Sequence, residues 1–160
     1  MPRINTVGAG HAGPTPLPGG FRYDTFTDPG FLKTLNRATS IIDTRIRGYR
    51  PCNEAFRALP NGRSFADVWN DARIWINFDP SRQGGRYGAQ RGSNITITAY
   101  ALAMGHWTVA ATLVHEMAHV NGAPTNTHDA EGTLRSCLLA GLEDPNIIGA
   151  VIRASRNRIA

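Results

Sequence analysis

The chain predicts a single small α+β domain in which helices outnumber strands. Apolar residues recur at helical spacing in the first third of the chain and again in the last third. Between these regions, apolar residues alternate in two short stretches, as they do in strands. A length of 160 residues is enough for one self-sufficient core. Because helices and strands are segregated along the chain, we expect an α+β arrangement.

The first twenty residues predict a flexible Gly/Pro-rich arm, and residues 21–160 the folded domain. Glycines and prolines follow one another closely between Gly8 and Gly20, and neither residue sustains a helix or a strand ladder. This segment also lacks the continuous apolar core of a secretory signal. No apolar run approaches the ~20 residues needed to cross a bilayer, so we expect no transmembrane segment.

Three helical stretches are expected in the first half of the domain. Asp28 can cap the first one, with Pro29 in its first turn, and apolar residues then recur at helical spacing as far as Gly48. A shorter helix is expected over residues 51–59. Ser64 is a capping residue for a third, short stretch.

Two strands are expected next. Apolar side chains alternate over residues 74–78 and again over residues 94–98, so each stretch can bury one face. Asp79-Pro80 ends the first strand. The Gly-rich segment 82–88 that follows predicts a mobile loop.

The stretch that carries chemistry lies on a helix expected over residues 105–121 and closed by Gly122. It contains the motif H-E-x-x-H, formed by His115, Glu116 and His119. Residues four apart share one face of a helix at Cβ distances of about 5–6 Å, so the two imidazoles can reach one tetrahedral ion. Glu116 lies beside that face, where it can act on a water molecule without ligating the ion.

A zinc enzyme needs a third protein ligand and one open position. The segment after the motif offers His128 and Glu131, and the residues alone rate them equal. Asp129 is better suited to capping the next helix or to orienting an imidazole. His106 is excluded, because nine residues of helix place it about 13 Å from His115.

The motif H-E-M-A-H-V-N-G followed by H-D resembles the zincin metallopeptidases. The metzincin pattern H-E-x-x-H-x-x-G-x-x-H maps onto His115, Glu116, His119 and Gly122, and onto His128 if three residues are inserted. No methionine follows His128, so the Met-turn of that group is missing.

Two further parts of the sequence resemble known families of metallopeptidases. The segment around Glu131 is similar to gluzincins, in which a Glu on the helix after the motif is the third ligand. The Gly/Pro lead and the run from Trp107 to His119 are similar to metallopeptidase toxin domains of bacterial secreted effectors. These resemblances imply a small zincin-like domain, with a short antiparallel sheet over the metal-binding helix and Zn²⁺ as cofactor. They also imply delivery by a secretion system, and they admit a cognate inhibitor or immunity protein as partner.

The expected function is zinc-dependent hydrolysis of peptide bonds. Zinc polarises the scissile carbonyl and activates a water molecule, while Glu116 takes the proton and returns it to the leaving amine. The oxyanion needs a further donor, for which Tyr87, Tyr100, His106 and the nearby arginines are candidates, and nothing in the sequence selects one.

Other predictions concern partners and alternatives. The two expected strands suggest a sheet edge over the cleft, where an extended protein or peptide substrate can pair. A metal-stabilised binding module without turnover and a hydrolase of peptidoglycan peptides stay open as alternatives. The net charge is +5, with sixteen Arg and one Lys, but arginine is spread without a dense cluster, so we predict no nucleic-acid partner.

Two further helices are expected at the end of the chain. One runs from about residue 127 to Gly141, and the other begins at Asp144-Pro145.

The two cysteines leave two alternatives open. Cys52 and Cys137 either form one disulfide, as in an oxidising compartment, or stay as two buried thiols.

Overall fold

The computed structural model describes residues 1–11, 15–16 and 18–140. The helix predicted from Asp144-Pro145 lies outside these residues. Within them, the predicted α+β class is confirmed. The helices are α1 (Pro29–Ile41), α2 (Arg50–Arg57), α3 (Phe65–Trp69), α4 (Ala99–Met104), α5 (His106–Val120) and α6 (Asp129–Ser136). The strands are β1 (Arg3–Ile4), β2 (Thr15–Pro16), β3 (Arg22–Tyr23), β4 (Trp75–Asp79), β5 (Gly88–Arg91) and β6 (Asn94–Thr98).

The main sheet is mixed, with the strand order β1-β4-β6-β5. Strands β1 and β6 both run parallel to β4, and β5 alone is antiparallel to its neighbour β6. The expected antiparallel sheet is therefore wrong for two of these three pairings. The reason is the segment between β4 and β6, which carries β5 out to the edge and back, so that β6 returns beside β4 in the same direction.

Strand β5 lies in part where a loop was expected. Its sequence, Gly-Ala-Gln-Arg, has neither alternation nor strand-forming residues, so nothing local predicts it. It forms because a tight turn at Gly92, with a φ of +59°, folds it back onto β6. The tertiary pairing overrides a weak local preference.

The prediction of a flexible arm over residues 1–20 is wrong for β1, Asn5 and His11. Strand β1 pairs with β4, and the buried Asn5 amide donates to the side-chain oxygen of Asn77 at 3.0 Å. The His11 ring stacks on Trp75 with the ring centroids 4.1 Å apart. The edge of β4 offers backbone N–H and C=O groups to β1. The Gly/Pro-rich composition of residues 1–20 does not show that such a partner exists.

The first helices begin where the sequence predicts. Asp28 caps α1, and its carboxylate accepts from the amide of Phe31 at 2.9 Å. Past Ile41, the chain continues as a π-helical turn over Ile42–Ile46. Helix α3 begins with a capping box between Ser64 and Asp67.

Helix α5 lies at the centre of the core. Apart from the partly buried Trp107 and Val120, its apolar residues are fully buried, and it contacts β5 and β6 as well as α1, α3, α4 and α6. Gly105, with a φ of +111°, separates it from α4, which the sequence did not reveal as a helix of its own. The side chains of Val109, Ala110, Leu113, Val114 and Met117 are fully buried. No described helix is long and apolar enough to span a membrane.

A disulfide between Cys52 and Cys137 joins α2 to the end of α6. Both residues are fully buried. Of the two alternatives, a disulfide or two buried thiols, the structure contains the disulfide. It anchors the helix that carries Glu131 to the body of the domain.

Replacing both cysteines by alanine should lower the free energy of unfolding by about 2–4 kcal/mol, because the crosslink restricts the unfolded chain. The bond joins residues 85 positions apart, which makes the restricted loop long. Urea unfolding of the Cys52→Ala/Cys137→Ala protein measures the loss. Reductant should destabilise the wild type to the same extent and leave the double variant unchanged. A wild type that does not respond to reductant under unfolding conditions would contradict the crosslink.

Candidate metal centre

The two histidines of the motif face the same point. His115 and His119 lie one turn apart on α5, and both side chains are half-buried. Their Nε2 atoms are 3.1 Å apart. Two nitrogen ligands of one tetrahedral zinc ion at about 2.0–2.1 Å are separated by about 3.3 Å. The helix therefore holds this pair close to the spacing that a shared ion requires.

The turn after α5 orients His119. Gly122, with a φ of +93°, ends the helix, and the amides of Gly122 and Ala123 donate to the carbonyls of His119 and Ala118 at 3.0 and 2.9 Å. A Cβ at Gly122 would lie 3.2 Å from the Asn61 side chain, so close packing also favours glycine. This turn brings the Ala123 carbonyl to 2.8 Å from Nδ1 of His119. Donation from Nδ1–H leaves Nε2 unprotonated, which is the form that binds a metal.

The surroundings of His115 favour the neutral imidazole. Burial lowers the pKa of His115 below its ordinary value, and the charge of His119 lowers it further. The carboxylate of Glu131 acts on the same pKa in the opposite direction. A metal ligand must be neutral imidazole, so the first two effects favour ligation. The third effect indicates that the Glu131 carboxylate is close enough to act on His115.

The two candidates for third ligand differ in their surroundings. His128 lies at the N-cap of α6 and lines a separate groove with Pro60 and residues of α2. Glu131, one turn further along α6, acts electrostatically on His115. Among the described residues, no group of three or more His, Cys, Asp or Glu side chains is already close enough to hold an ion. The electrostatic effect on His115 favours Glu131 over His128 as the candidate third ligand.

Asp129 does not occupy the N-cap position of α6 that the sequence predicts for it. The N-cap position of α6 is held by His128, and no side chain caps the helix there. The carboxylate of Asp129 instead accepts from the Thr127 hydroxyl at 2.8 Å. The prediction that Asp129 caps this helix is therefore wrong, because its carboxylate binds the Thr127 hydroxyl and caps no backbone amide.

Glu116 lies in the wall of a cleft beside the histidines, and only 7% of its surface is exposed. Strand β5 forms the facing wall at Gly88, where a Cβ would lie 3.3 Å from Oε1 of Glu116. The close approach requires a residue without a side chain. The lining residues are Phe21, Gly85, Arg86, Tyr87, Gly88, Thr112, His115 and Glu116.

The candidate oxyanion donors are also separated by the fold. Tyr87 lines the cleft with Glu116. The Tyr100 ring contacts the Tyr87 ring, with the two ring centroids 5.5 Å apart, and is not part of the cleft lining. His106, at the start of α5, lines a different groove with Arg37. Its exclusion as a metal ligand is consistent with that position. Of the candidate donors, Tyr87 and Arg86 line the described cleft.

Several cleft residues were not predicted. Phe21 lies at the predicted start of the domain, and Arg86 and Gly88 lie in the expected loop. The one local signal was the cluster of glycines at 84, 85 and 88, which permits close approach of the backbone. Nothing local shows that this segment lies over α5.

The comparisons with known proteins yield no relative. No protein-family model matches the chain, and no curated protein or solved structure matches it either. The zincin resemblance therefore stays an interpretation of the motif. The function is inferred from this chain's own residues and their geometry.

Gly88→Ala should destabilise the protein by about 1–3 kcal/mol, the usual cost of overpacking a close contact. The added Cβ would lie 2.7 Å from Cγ2 of Thr112 and 2.8 Å from the carbonyl oxygen of Thr96. Chemical denaturation measures the change. Gly132→Ala is the matched control, because a Cβ there meets no atom within 4 Å. Alanine is also the better helix former, so Gly132→Ala should be neutral or stabilising by up to about 1 kcal/mol. Equal stability of Gly88→Ala and the wild type would contradict the close packing of β5 on α5.

Proposed function

We propose that the protein is a zinc-dependent metallopeptidase in which Glu116 is the general base. The observation that carries this proposal is the pair of Nε2 atoms, 3.1 Å apart, on His115 and His119. Glu116 lines the cleft together with His115. A carboxylate at this place has no use in a purely structural metal site, which closes its coordination with four protein ligands.

The proposed ligands are His115, His119 and Glu131, which leave one position open. The bond from His119 to Ala123 and the electrostatic effect of Glu131 on His115 support this set. When bound, a zinc ion supplies a Lewis acid that polarises the scissile carbonyl and acidifies a water molecule.

The chain's own residues supply the proton transfers. Glu116 takes a proton from the attacking water and delivers it to the leaving amine. Its burial in the cleft wall keeps bulk water away from that exchange. The phenol of Tyr87, in the same cleft, is the donor that we propose for the developing oxyanion.

The sheet edge at the cleft favours an extended peptide as substrate. The strands at 74–78 and 94–98 were expected to form this edge, but β4 and β6 lie inside the sheet, and β5 takes the edge position. Strand β5 pairs with β6 on one side and leaves its other side next to the cleft. An extended peptide can add to such an edge through backbone hydrogen bonds, with its scissile bond placed towards Glu116.

The disulfide supports a place of action outside the reducing cytosol. A fully buried bond between Cys52 and Cys137 is typical of proteins that fold in an oxidising compartment. We therefore propose that the domain is a secreted bacterial effector or toxin, which agrees with the resemblance of its motif region.

Glu116→Gln should keep zinc bound and lower kcat/KM by about 10²–10⁴-fold or more, because it removes the general base. Tyr87→Phe should keep zinc and lower kcat by a smaller factor, on the order of 10²-fold. Metal analysis and hydrolysis of fluorogenic peptides measure both effects. Glu54→Gln, at an exposed ion pair on α2, is the control and should match the wild type. Unchanged hydrolysis by Glu116→Gln would overturn the proposed role.

Glu131→Gln should weaken zinc binding by more than about 100-fold, because even outer-shell partners of a metal site contribute 10–100-fold. His128→Gln should bind zinc as the wild type does. Competition with a chromophoric chelator measures both dissociation constants. The reverse ranking of the two variants would return the third position to His128.

A further inference from the structure

Arg86 is held in the wall of the cleft by contacts with the N-terminal segment. Its guanidinium donates to the carbonyl oxygen of Gly19 and, at 3.3 Å, to the side-chain oxygen of Gln83. The same group lies over the Phe21 ring, 4.2 Å from the ring centroid. Arg86 and Phe21 are half-buried and line the cleft together with Glu116. The cation is therefore oriented, and it is not a loose surface side chain.

The positive charge of Arg86 is not neutralised within the described part of the chain. None of the ion pairs there includes Arg86, and both of its hydrogen-bond acceptors are neutral oxygens. A guanidinium has five N–H donors in a planar fork, so donors are left for a further acceptor. One face is covered by Phe21, which leaves the edge of the fork as the place for an acceptor in the plane.

The electrostatics of the cleft define which ligand this cation suits. Glu116 is the acidic residue of the lining, and Arg86 is the basic one. A substrate carboxylate in this cleft would be repelled by Glu116, and the charge of Arg86, together with that of a bound zinc ion, would offset this repulsion. Carboxylates are also the acceptors that match a guanidinium fork through two parallel hydrogen bonds.

We propose that Arg86, backed by Phe21, is a specificity subsite that binds a carboxylate of the peptide substrate close to the scissile bond. The proposal rests on the proposed peptidase function and names its substrate class. The carboxylate belongs either to an Asp or Glu side chain or to the C-terminus of the peptide. Both sources present the same planar acceptor to Arg86.

Two peptide series distinguish these sources. The first consists of peptides blocked at both ends that differ only in Asp, Asn or Lys, placed in turn at each position around the scissile bond. The second has alanine at those positions and ends in either a free carboxylate or an amide. The zinc-loaded wild type should favour one carboxylate peptide over its amide counterpart by about tenfold or more in kcat/KM.

Variants of Arg86 test whether this residue carries the preference. Arg86→Gln should bring the ratio for acid over amide close to one, and Arg86→Glu should favour the Lys peptide. Arg86→Lys should keep part of the preference, since it retains the charge but not the fork. Arg82→Gln removes one charge from the same segment at an exposed position and should keep the wild-type ratio. If Arg86 only fastens the N-terminal segment, its variants would lower cleavage of all peptides equally, and the unchanged ratio would overturn the proposal.

Binding to the Glu116→Gln protein separates this inference from the peptidase itself. Calorimetric titration with the same peptides should show the same preference for the carboxylate without turnover. Wild-type protein that holds zinc and cleaves no peptide would overturn the proposed function, while tighter binding of the carboxylate peptide would still support the subsite. Equal binding of acid and amide peptides, or no measurable binding of either, would overturn the subsite.

Discussion

The burial of helix α5 is the constraint on which the rest of the structure depends. Apart from the partly buried Trp107 and Val120, its apolar side chains are fully buried, and each such Val, Leu or Met side chain contributes about 1.5–3 kcal/mol by leaving water. Helices α1, α4 and α6 and strands β5 and β6 cover this helix. Thr112, His115 and Glu116 are the residues of α5 that line the cleft. The proposed metal centre therefore lies on a portion of a core helix that the other elements leave accessible.

The C-terminal end of α5 is fixed by hydrogen bonds to α2 and to the segment that follows it. The buried Asn121 donates to the carbonyls of Phe56 and Arg63 at 2.8 and 2.9 Å, which ties the helix end to the segment between α2 and α3. The amide of Asn61 donates in return to the carbonyl of Asn121 at 3.1 Å. These bonds hold the turn at Gly122, and the turn holds the carbonyl that orients His119. His119, a proposed metal ligand, is positioned by backbone geometry several residues away.

The cleft joins parts of the chain that differ in how they are held. Its floor is α5, which belongs to the core, and one wall is β5 at the sheet edge. The other wall comes from the N-terminal segment, which the buried Asp79 helps to hold by accepting from the amide of Arg22 at 2.9 Å. A rigid floor suits a reacting centre, and walls from separate segments allow the substrate preference to be set independently.

Elements with strong local signals could be predicted from the amino-acid sequence. Asp28-Pro29 and Ser64 mark helix starts through their own capping chemistry, and the alternation over residues 74–78 and 94–98 is visible in a few adjacent residues. The spacing within H-E-x-x-H already places two imidazoles on one helical face. Only the tertiary structure decided the contacts between distant segments. It brought β1 to the edge of β4, β5 over α5, Arg86 into the cleft and Cys52 to Cys137, because pairing, close packing and crosslinking depend on partners that no local pattern names.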